Sequence, residues 1–168
     1  MPIASSELLF CLSGGAGNST PASSLGGVKS TTTITDATLN NLWDDVSAAE
    51  ASSGDLEYRG IFLMNTNTTL TLSNARAWIS ATTSAPGDEW AITTDTIGIN
   101  TANSMSSCTD ESTAPAGTGT WVAFGTTLSI GTMGPTKSIG LWIRRSVSAA
   151  ATSYASNSAS ITWDGETA

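Results

Sequence analysis

The sequence predicts an all-β fold, a single antiparallel β-sandwich of jelly-roll or immunoglobulin-like type with one short helix around residues 37–47. Short extended runs recur along the chain between clusters of Gly, Pro, Ser and Asn, a pattern typical of sandwiches and barrels. Helical periodicity is found in one segment only. The length of 168 residues gives room for one core, so we expect a single domain over residues 1–168.

The amino-terminal part of the chain combines a strand with a long loop. Residues 7–12 (ELLFCL) are predicted to form the first strand. Residues 13–27 (SGGAGNSTPASSLGG) contain five glycines, one proline and no charged side chain, so we expect a Gly/Ser-rich loop or arm with little capacity to pack by itself. Residues 29–35 (KSTTTIT) are rich in β-branched side chains and are expected to be extended.

The next segment carries the helical pattern. Asp36 is a favourable N-cap residue, and Asp44 and Asp45 would face solvent. The residues that would form the apolar face follow the i, i+3, i+4, i+7 spacing and are Leu39, Leu42, Trp43 and Val46. We therefore expect a short helix packed on the sheet, after which the chain returns through Gly54.

Strand signals dominate the second half of the chain. Residues 58–64 are apolar at both parities, which predicts a central strand covered on both faces. A turn is predicted at residues 85–88, and a loop at residues 100–120, where apolar side chains are sparse. Further strands are predicted at residues 69–80, 90–99, 121–130, 138–147 and 159–163.

The predicted strand 69–80 alternates well but changes phase partway. Arg76 and Trp78 share one face of this strand. The residues on the opposite face are Ala75, Ala77 and Ile79. The change of phase at Ser73 and Asn74 predicts a β-bulge or a break in the strand.

Composition and charge exclude several classes of function. The chain has 14 acidic and 6 basic residues, a net charge of −8 and no histidine. Because so few bases give no stripe for a phosphate backbone, we expect no nucleic-acid partner. Because no imidazole is available as base or ligand, we expect no enzymatic activity and no metal or cofactor. No apolar run is long enough for a membrane span, and no targeting segment is evident, so we expect no membrane partner.

The surface is expected to be hydroxyl-rich. Serine and threonine make up 52 residues, while charged residues are only 12% of the chain, about half the usual share. Burying a charged group carries a large penalty, whereas burying a hydroxyl that finds a partner carries a small one. Such a surface can therefore dock over a wide area with little loss of hydration.

Six tryptophans could be core residues or a platform for carbohydrate. Core positions are expected for four that lie in apolar strand runs or on the predicted helix: Trp43, Trp78, Trp142 and Trp163. Trp90 and Trp121 begin strands beside loops. These two are the candidate glycan-contact residues, because an exposed indole can stack on a sugar ring.

Three acidic pairs, at residues 44–45, 88–89 and 110–111, could supply calcium ligands or the two carboxylates of a glycosidase. None of the pairs has the spacing of a calcium loop. Each pair lies on the predicted helix surface or in a predicted turn. Solvated turn residues are the better interpretation.

Arg144 and Arg145 form the one basic pair. Neighbours on a strand face opposite ways, so one arginine shares a face with Trp142 and the other with Leu141 and Ile143. We expect one arginine to meet a carboxylate or to pack its stem along the sheet, and the other to be free for a partner.

Two cysteines, Cys11 and Cys108, are too few for a disulfide framework in a chain of this length. We interpret them as free thiols that are buried or partly buried.

Residues 13–27 (SGGAGNSTPASSLGG), followed by KSTTTITDATLNNLWDDVSAAEASSGDLEYRGIFLMNTNTTLTLSNARAWIS and later by GLWIRRSVSAAATSYASNSASITWDGE, resemble small virion structural proteins of tailed bacteriophages. The resemblance is strongest over residues 12–80 and 140–165. Residues 100–136 contribute nothing to it. Its motifs are structural and include no catalytic signature.

The resemblance implies a virion component made in the host bacterial cytoplasm. Capsid decoration or cement proteins on the outer surface of the head are one type, with the major capsid protein as partner and assembly as a dimer or trimer. The expected contacts are the arm around Leu25 and Lys29, together with Arg144 or Arg145. The alternative is a tail, baseplate or head-fibre component that binds host-surface glycan through Trp90 and Trp121.

Overall fold

A computed structural model describes residues 2–83, 87–152 and 157–167 and consists mostly of antiparallel strands. The prediction of an all-β sandwich-like fold is confirmed. Two residues of the predicted turn at 85–88 lie outside the described residues. The strands are β1 Leu8–Leu12, β2 Gly26–Val28, β3 Asp55–Asn65, β4 Leu72–Thr82, β5 Asp88–Thr94, β6 Ser104–Ser107, β7 Val122–Ala123, β8 Leu128–Met133, β9 Ser138–Val147 and β10 Ala159–Thr167.

Two sheets enclose the main core. The larger has the strand order β1-β3-β9-β5-β7, and the smaller has the order β10-β4-β8. Alternation places Leu141 and Ile143 of β9 on the inner face of the large sheet, opposite Ala77 and Ile79 of the small sheet. These side chains are almost completely excluded from solvent. The apolar side chains whose alternation predicts the strands are therefore the ones that hold the two sheets together.

A third layer covers the other face of the large sheet. Strands β2 and β6 pair with each other there, and we call them, with the loop at residues 13–25, the cover layer. Beneath it a second cluster contains Phe62, Trp142 and Met105. Strand β3 is therefore buried on both faces, as predicted from its apolar residues at both parities.

Two glycines let the cover layer approach the sheet closely. A Cβ atom on Gly140 would lie 2.6 Å from Cβ of Met105, and one on Gly60 would lie 3.0 Å from the Met105 methyl carbon. Both glycines belong to strands of the large sheet and face the cover layer. We call this pair the glycine seat, because the Met105 side chain occupies the space that their missing side chains leave.

The loop at residues 13–27 is folded onto its own sheet and is not a free arm. The Ser13 hydroxyl is fully buried, donates to the Gly60 carbonyl oxygen at 2.6 Å and accepts from the Gly26 amide at 2.9 Å. The Gly60 amide in turn donates to the Ser24 carbonyl oxygen at 2.7 Å. Backbone partners supplied by β3 thus order a segment that has few apolar side chains of its own.

The prediction of a helix at residues 37–47 is wrong. The helix of this region, α1, spans Ala48–Ser53. The residues before it include Ala37 and Asn40 with φ of 54° and 55°, which a right-handed helix does not allow. Leu39 is 80% exposed, so the expected apolar face does not exist. No helix of the described residues is long and apolar enough to cross a membrane.

The true helix start is a capping box. The Glu50 amide donates to the Ser47 hydroxyl at 3.3 Å, and the Glu50 carboxylate accepts from the Ser47 amide at 2.6 Å. This reciprocal pair satisfies two amides that would otherwise lack partners. A local polar motif therefore decides where the helix begins, and the apolar spacing upstream of it is incidental.

The predicted irregularity of β4 is confirmed. Asn74 has a φ of 52°, and the pairing of β4 with β8 shifts register between Leu72 and Ala75. The extra residues in β4 compensate for the change of phase, so Leu72 faces the core although the alternation of the strand is interrupted after it. On the far side of the shift, Arg76 and Trp78 point away from the core.

Candidate functional site

Three of the four predicted partner-contact residues lie on the cover-layer side of the molecule. Leu25 is half-buried, and its carbonyl oxygen accepts from the Cys108 amide at 3.0 Å. Lys29 follows β2 directly, and its ammonium group donates to the Ser30 carbonyl oxygen at 3.1 Å. Arg144 points to the same side, where its guanidinium lies 5.2 Å from the Trp121 ring.

Arg145, the fourth predicted contact, is buried at 5% exposure and cannot reach another protein. Its Nε donates to the Glu57 carboxylate at 2.6 Å, and one Nη donates to the Asp44 carbonyl oxygen at 3.0 Å. Strand alternation explains the different fates of the pair, because Arg145 shares the inner face with Leu141 while Arg144 shares the outer face with Trp142.

Arg145 belongs to a larger group at one end of the main core, which we call the arginine cluster. Its members are Trp43, Asp44, Glu57, Arg59, Glu111 and Arg145. The guanidinium groups of Arg59 and Arg145 lie 5.0 and 5.1 Å from the Trp43 ring. Arg59 also donates to the Glu111 carboxylate at 2.5 Å. The cluster thereby ties the segment before α1 and the loop after β6 to the large sheet.

The three carboxylates of the arginine cluster have oxygens within 4.8 Å of one another, a spacing that a metal ion could use. Arg59 and Arg145 already contribute two positive charges among them. Burial raises the pKa of the Glu57 carboxyl although Arg145 is in contact with it. The group is therefore an ion-pair network of two buried arginines with one buried and two solvent-accessible carboxylates, and the arginines provide the neutralisation that a cation would otherwise supply.

The two predicted glycan-contact tryptophans are not a pair of exposed rings. Trp90 is 7% exposed, meets Trp43 edge to face at a centroid distance of 5.6 Å, and donates its indole N–H to Asp88 at 3.1 Å. Trp121 is half-buried between Arg144 and Tyr58. The expectation that Trp90 contacts glycan is therefore corrected, because the main core occupies the faces of its ring.

The predicted core tryptophans divide into two groups. Trp142 is fully buried, and Trp43 and Trp163 pack against the main core. Trp78 is half-buried but lies on the outward face of the small sheet, so its assignment to the core is wrong. The sequence contained the signal, since Trp78 shares its parity with Arg76 and not with the small apolar residues of β4.

Trp78 lies at the centre of an ordered polar surface, which we call the sheet face. The register places Arg76 opposite Asp164 and Trp78 opposite Thr162. Arg76 binds Asp164 through two parallel hydrogen bonds of 2.7 and 2.5 Å, and Ser80 shares a 2.6 Å hydrogen bond with Thr162. The contact with Asp164 raises the pKa of Arg76 above its ordinary value. Both polar pairs are thus fixed in place beside the indole ring.

A buried carboxylate on the other side of the large sheet has a structural explanation. Asp95 is 2% exposed, and one of its oxygens accepts from the Trp142 indole N–H at 2.9 Å and from the Ser106 amide at 3.0 Å. Its second oxygen accepts from the Ile97 amide at 2.9 Å. These donors engage both oxygens of the buried carboxylate and join the end of β5 to β6 and β9, so the role of Asp95 is structural.

Both cysteines are free thiols, Cys11 buried and Cys108 half-buried. Burial raises the pKa of each thiol. Because the thiolate is the reactive form, neither cysteine has the character of an activated nucleophile.

Comparison of this chain with models of protein families, with curated proteins and with solved structures finds no match.

Proposed function

We propose that this protein is a virion structural protein of a tailed bacteriophage, a capsid decoration or cement protein that acts without covalent chemistry. It binds the major capsid protein on the outer surface of the head and stabilises the shell by non-covalent contacts. The proposal rests on the sequence resemblance and on one structural observation. The expected contacts Leu25, Lys29 and Arg144 belong to segments on the cover-layer side of the large sheet.

The distribution of charge supports the cover-layer side as the surface that binds the capsid protein. The ion pairs of the described residues all use Arg59, Arg76 or Arg145 as the base. Within the part of the chain that the structure describes, Lys29 and Arg144 lie outside these pairs, so the cover-layer side carries two bases without an ion-pair partner there. The remainder of a chain with net charge −8 repels phosphate. On the outside of the shell, the acidic remainder of the chain lies away from packaged DNA. Lys29 and Arg144 can then face acidic groups of the capsid protein.

Apolar and hydroxyl groups extend the same surface. Val28, next to Lys29, is 49% exposed. The cover layer around it is rich in serine and glycine, which lose little hydration free energy on docking. Many copies on one shell would strengthen each weak contact through multivalency. Assembly as a dimer or trimer stays a prediction.

Co-sedimentation with expanded empty capsids of the encoding phage tests the proposal. The wild-type protein should bind saturably at micromolar concentration. The double charge reversal Lys29→Glu with Arg144→Glu should weaken binding by about tenfold or more, because two attractive contacts become repulsive. Arg76→Glu reverses one charge on the small sheet, on the side of the sandwich away from the cover layer, and should bind with little loss, whereas Arg144→Glu, which changes the net charge by the same amount, should bind more weakly. Absence of saturable wild-type binding would overturn the proposal.

A further inference from the structure

The sheet face has the composition of a ligand site. Its aromatic centre is Trp78, which is half-buried, so part of its side chain is accessible to solvent. On one side along β4 lies the ion pair of Arg76 with Asp164, and on the other lies the hydroxyl pair of Ser80 with Thr162. Alternate residues of a strand are about 6.5 to 7 Å apart, so ring and polar pairs follow each other in one row.

The polar pairs keep unused hydrogen-bonding capacity. Arg76 is 53% exposed and Asp164 41% exposed. A guanidinium has five N–H donors, and the contact with Asp164 uses two of them. A carboxylate has about four acceptor positions, of which the same contact uses two. The pair can therefore donate to one hydroxyl and accept from its neighbour without being broken.

A depression of about 330 Å³ adjoins the ion pair and gives the row a concave end. Its walls are formed by Asn74, Arg76, Asp164, Gly165 and Glu166. The Asn74 amide donates to the Glu166 carboxylate at 3.1 Å, so this wall is ordered as well. The volume lies within the range of small-molecule sites.

The chemistry of the sheet face selects one class of ligand. An open indole face binds apolar C–H surface, and adjacent donors and acceptors bind neighbouring hydroxyls; a pyranose ring presents both. One arginine against Asp164 and Glu166 leaves the face with a net negative charge, which disfavours phosphate, sulfate and uronic acids. We infer that the sheet face is a binding site for neutral glycan, with Trp78 stacking on a hexose ring and the Arg76–Asp164 pair binding its vicinal hydroxyls.

This site lies on the small sheet, whereas the proposed shell-binding surface lies on the cover layer beyond the large sheet. Each surface can therefore be tested while the other is left intact. A molecule attached to a particle through its cover layer would hold the sheet face toward the medium. Glycan recognition through Trp78 is our proposal in place of recognition through Trp90, which is buried.

Isothermal titration calorimetry with neutral hexose tetramers tests the inference. The probes are α- and β-linked tetramers of glucose, galactose and mannose, with tetragalacturonate as the acidic comparison. At least one neutral tetramer should bind the wild-type protein, and tetragalacturonate should not. Trp78→Ala should weaken that binding by about tenfold or more, the effect of losing one stacked ring, and Trp78→Phe should restore part of it.

Two controls keep the inference falsifiable. Trp121→Ala removes a half-buried indole from the opposite side of the molecule and should leave glycan affinity unchanged. Trp78→Ala should still co-sediment with capsids, so failure of glycan binding and failure of shell binding are separate results. Absence of binding to every neutral tetramer would overturn the inference. So would a preference for tetragalacturonate, or an equal loss of affinity in Trp78→Ala and Trp121→Ala.

Discussion

The arginine cluster and the sheet face use the same three side-chain types in opposite surroundings. In the cluster, Arg59 and Arg145 are buried beside Trp43, and Arg145 binds the buried Glu57 carboxylate, whereas the Asp44 and Glu111 carboxylates at the outer edge of the cluster are 63% and 41% exposed. On the sheet face, the Arg76–Asp164 pair is about half exposed to water, and the half-buried Trp78 lies beside it. Arginine, carboxylate and indole therefore hold the fold together where they are enclosed, and form a ligand surface where water reaches them.

The largest expected difference between the two regions is in the effect of removing an arginine. Arg145→Met leaves Glu57 buried without its partner and should lower the free energy of unfolding by about 3 to 5 kcal/mol at neutral pH. Arg76→Met removes an exposed ion pair, which contributes little because water solvates both partners. Urea denaturation of the two variants measures the difference, and similar losses would contradict this assignment of roles.

A smaller difference is expected between the tryptophans. Trp43 packs on Trp90 and on two guanidinium groups, so Trp43→Ala should lower the free energy of unfolding by about 2 to 4 kcal/mol. Trp78 makes cross-strand contacts on an outward face, so Trp78→Ala should lower it by about 1 kcal/mol. Thermal and urea unfolding give both values. A greater loss of unfolding free energy in Trp78→Ala than in Trp43→Ala would contradict the assignment of the structural role to Trp43.

The smallest expected effect is on the pH dependence of stability. Because burial raises the pKa of Glu57, the folded protein holds this proton more tightly than the unfolded chain does. The resulting stabilisation is complete below the ordinary pKa of 4.5 and is lost as the pH rises through the folded-state pKa. Unfolding free energies measured across this window should decline less with pH in Glu57→Gln than in the wild-type protein. Trp78→Ala keeps every ionisable group, so its curve should run parallel to that of the wild-type protein.

Strand patterns predicted most of the sandwich. The sequence predicts strand β9 at residues 138–147, and these are its observed bounds. The prediction is accurate because the large sheet is buried on both faces, so side chains on both faces of the strand contribute to the pattern. Strand β6, Ser104–Ser107, lies inside the predicted loop 100–120. Three of its four residues are serines, and it forms a strand only because β2 and the large sheet supply its partners.

Contacts between distant segments explain what could not be predicted. The Leu39, Leu42, Trp43, Val46 spacing satisfies a helical pattern, but Trp43 is fixed by two arginines from β3 and β9 that lie far along the chain. Trp90 begins a strand beside a loop, and only the position of Trp43 makes it a core residue. The outward position of Trp78, by contrast, follows from strand parity alone and was available from the sequence.

The glycine seat restricts which amino-acid substitutions are tolerated on the cover-layer side of the large sheet. A side chain at position 140 would clash with the Met105 Cβ atom, and one at position 60 would crowd the Met105 methyl carbon and the Gly26 amide, so the close approach of the cover layer depends on both glycines. The distance between the cover layer and the large sheet therefore depends on the absence of side chains at these two positions. Outward-facing side chains of the sheet face meet no such constraint, so they can be replaced without moving the cover layer on the far side of the large sheet.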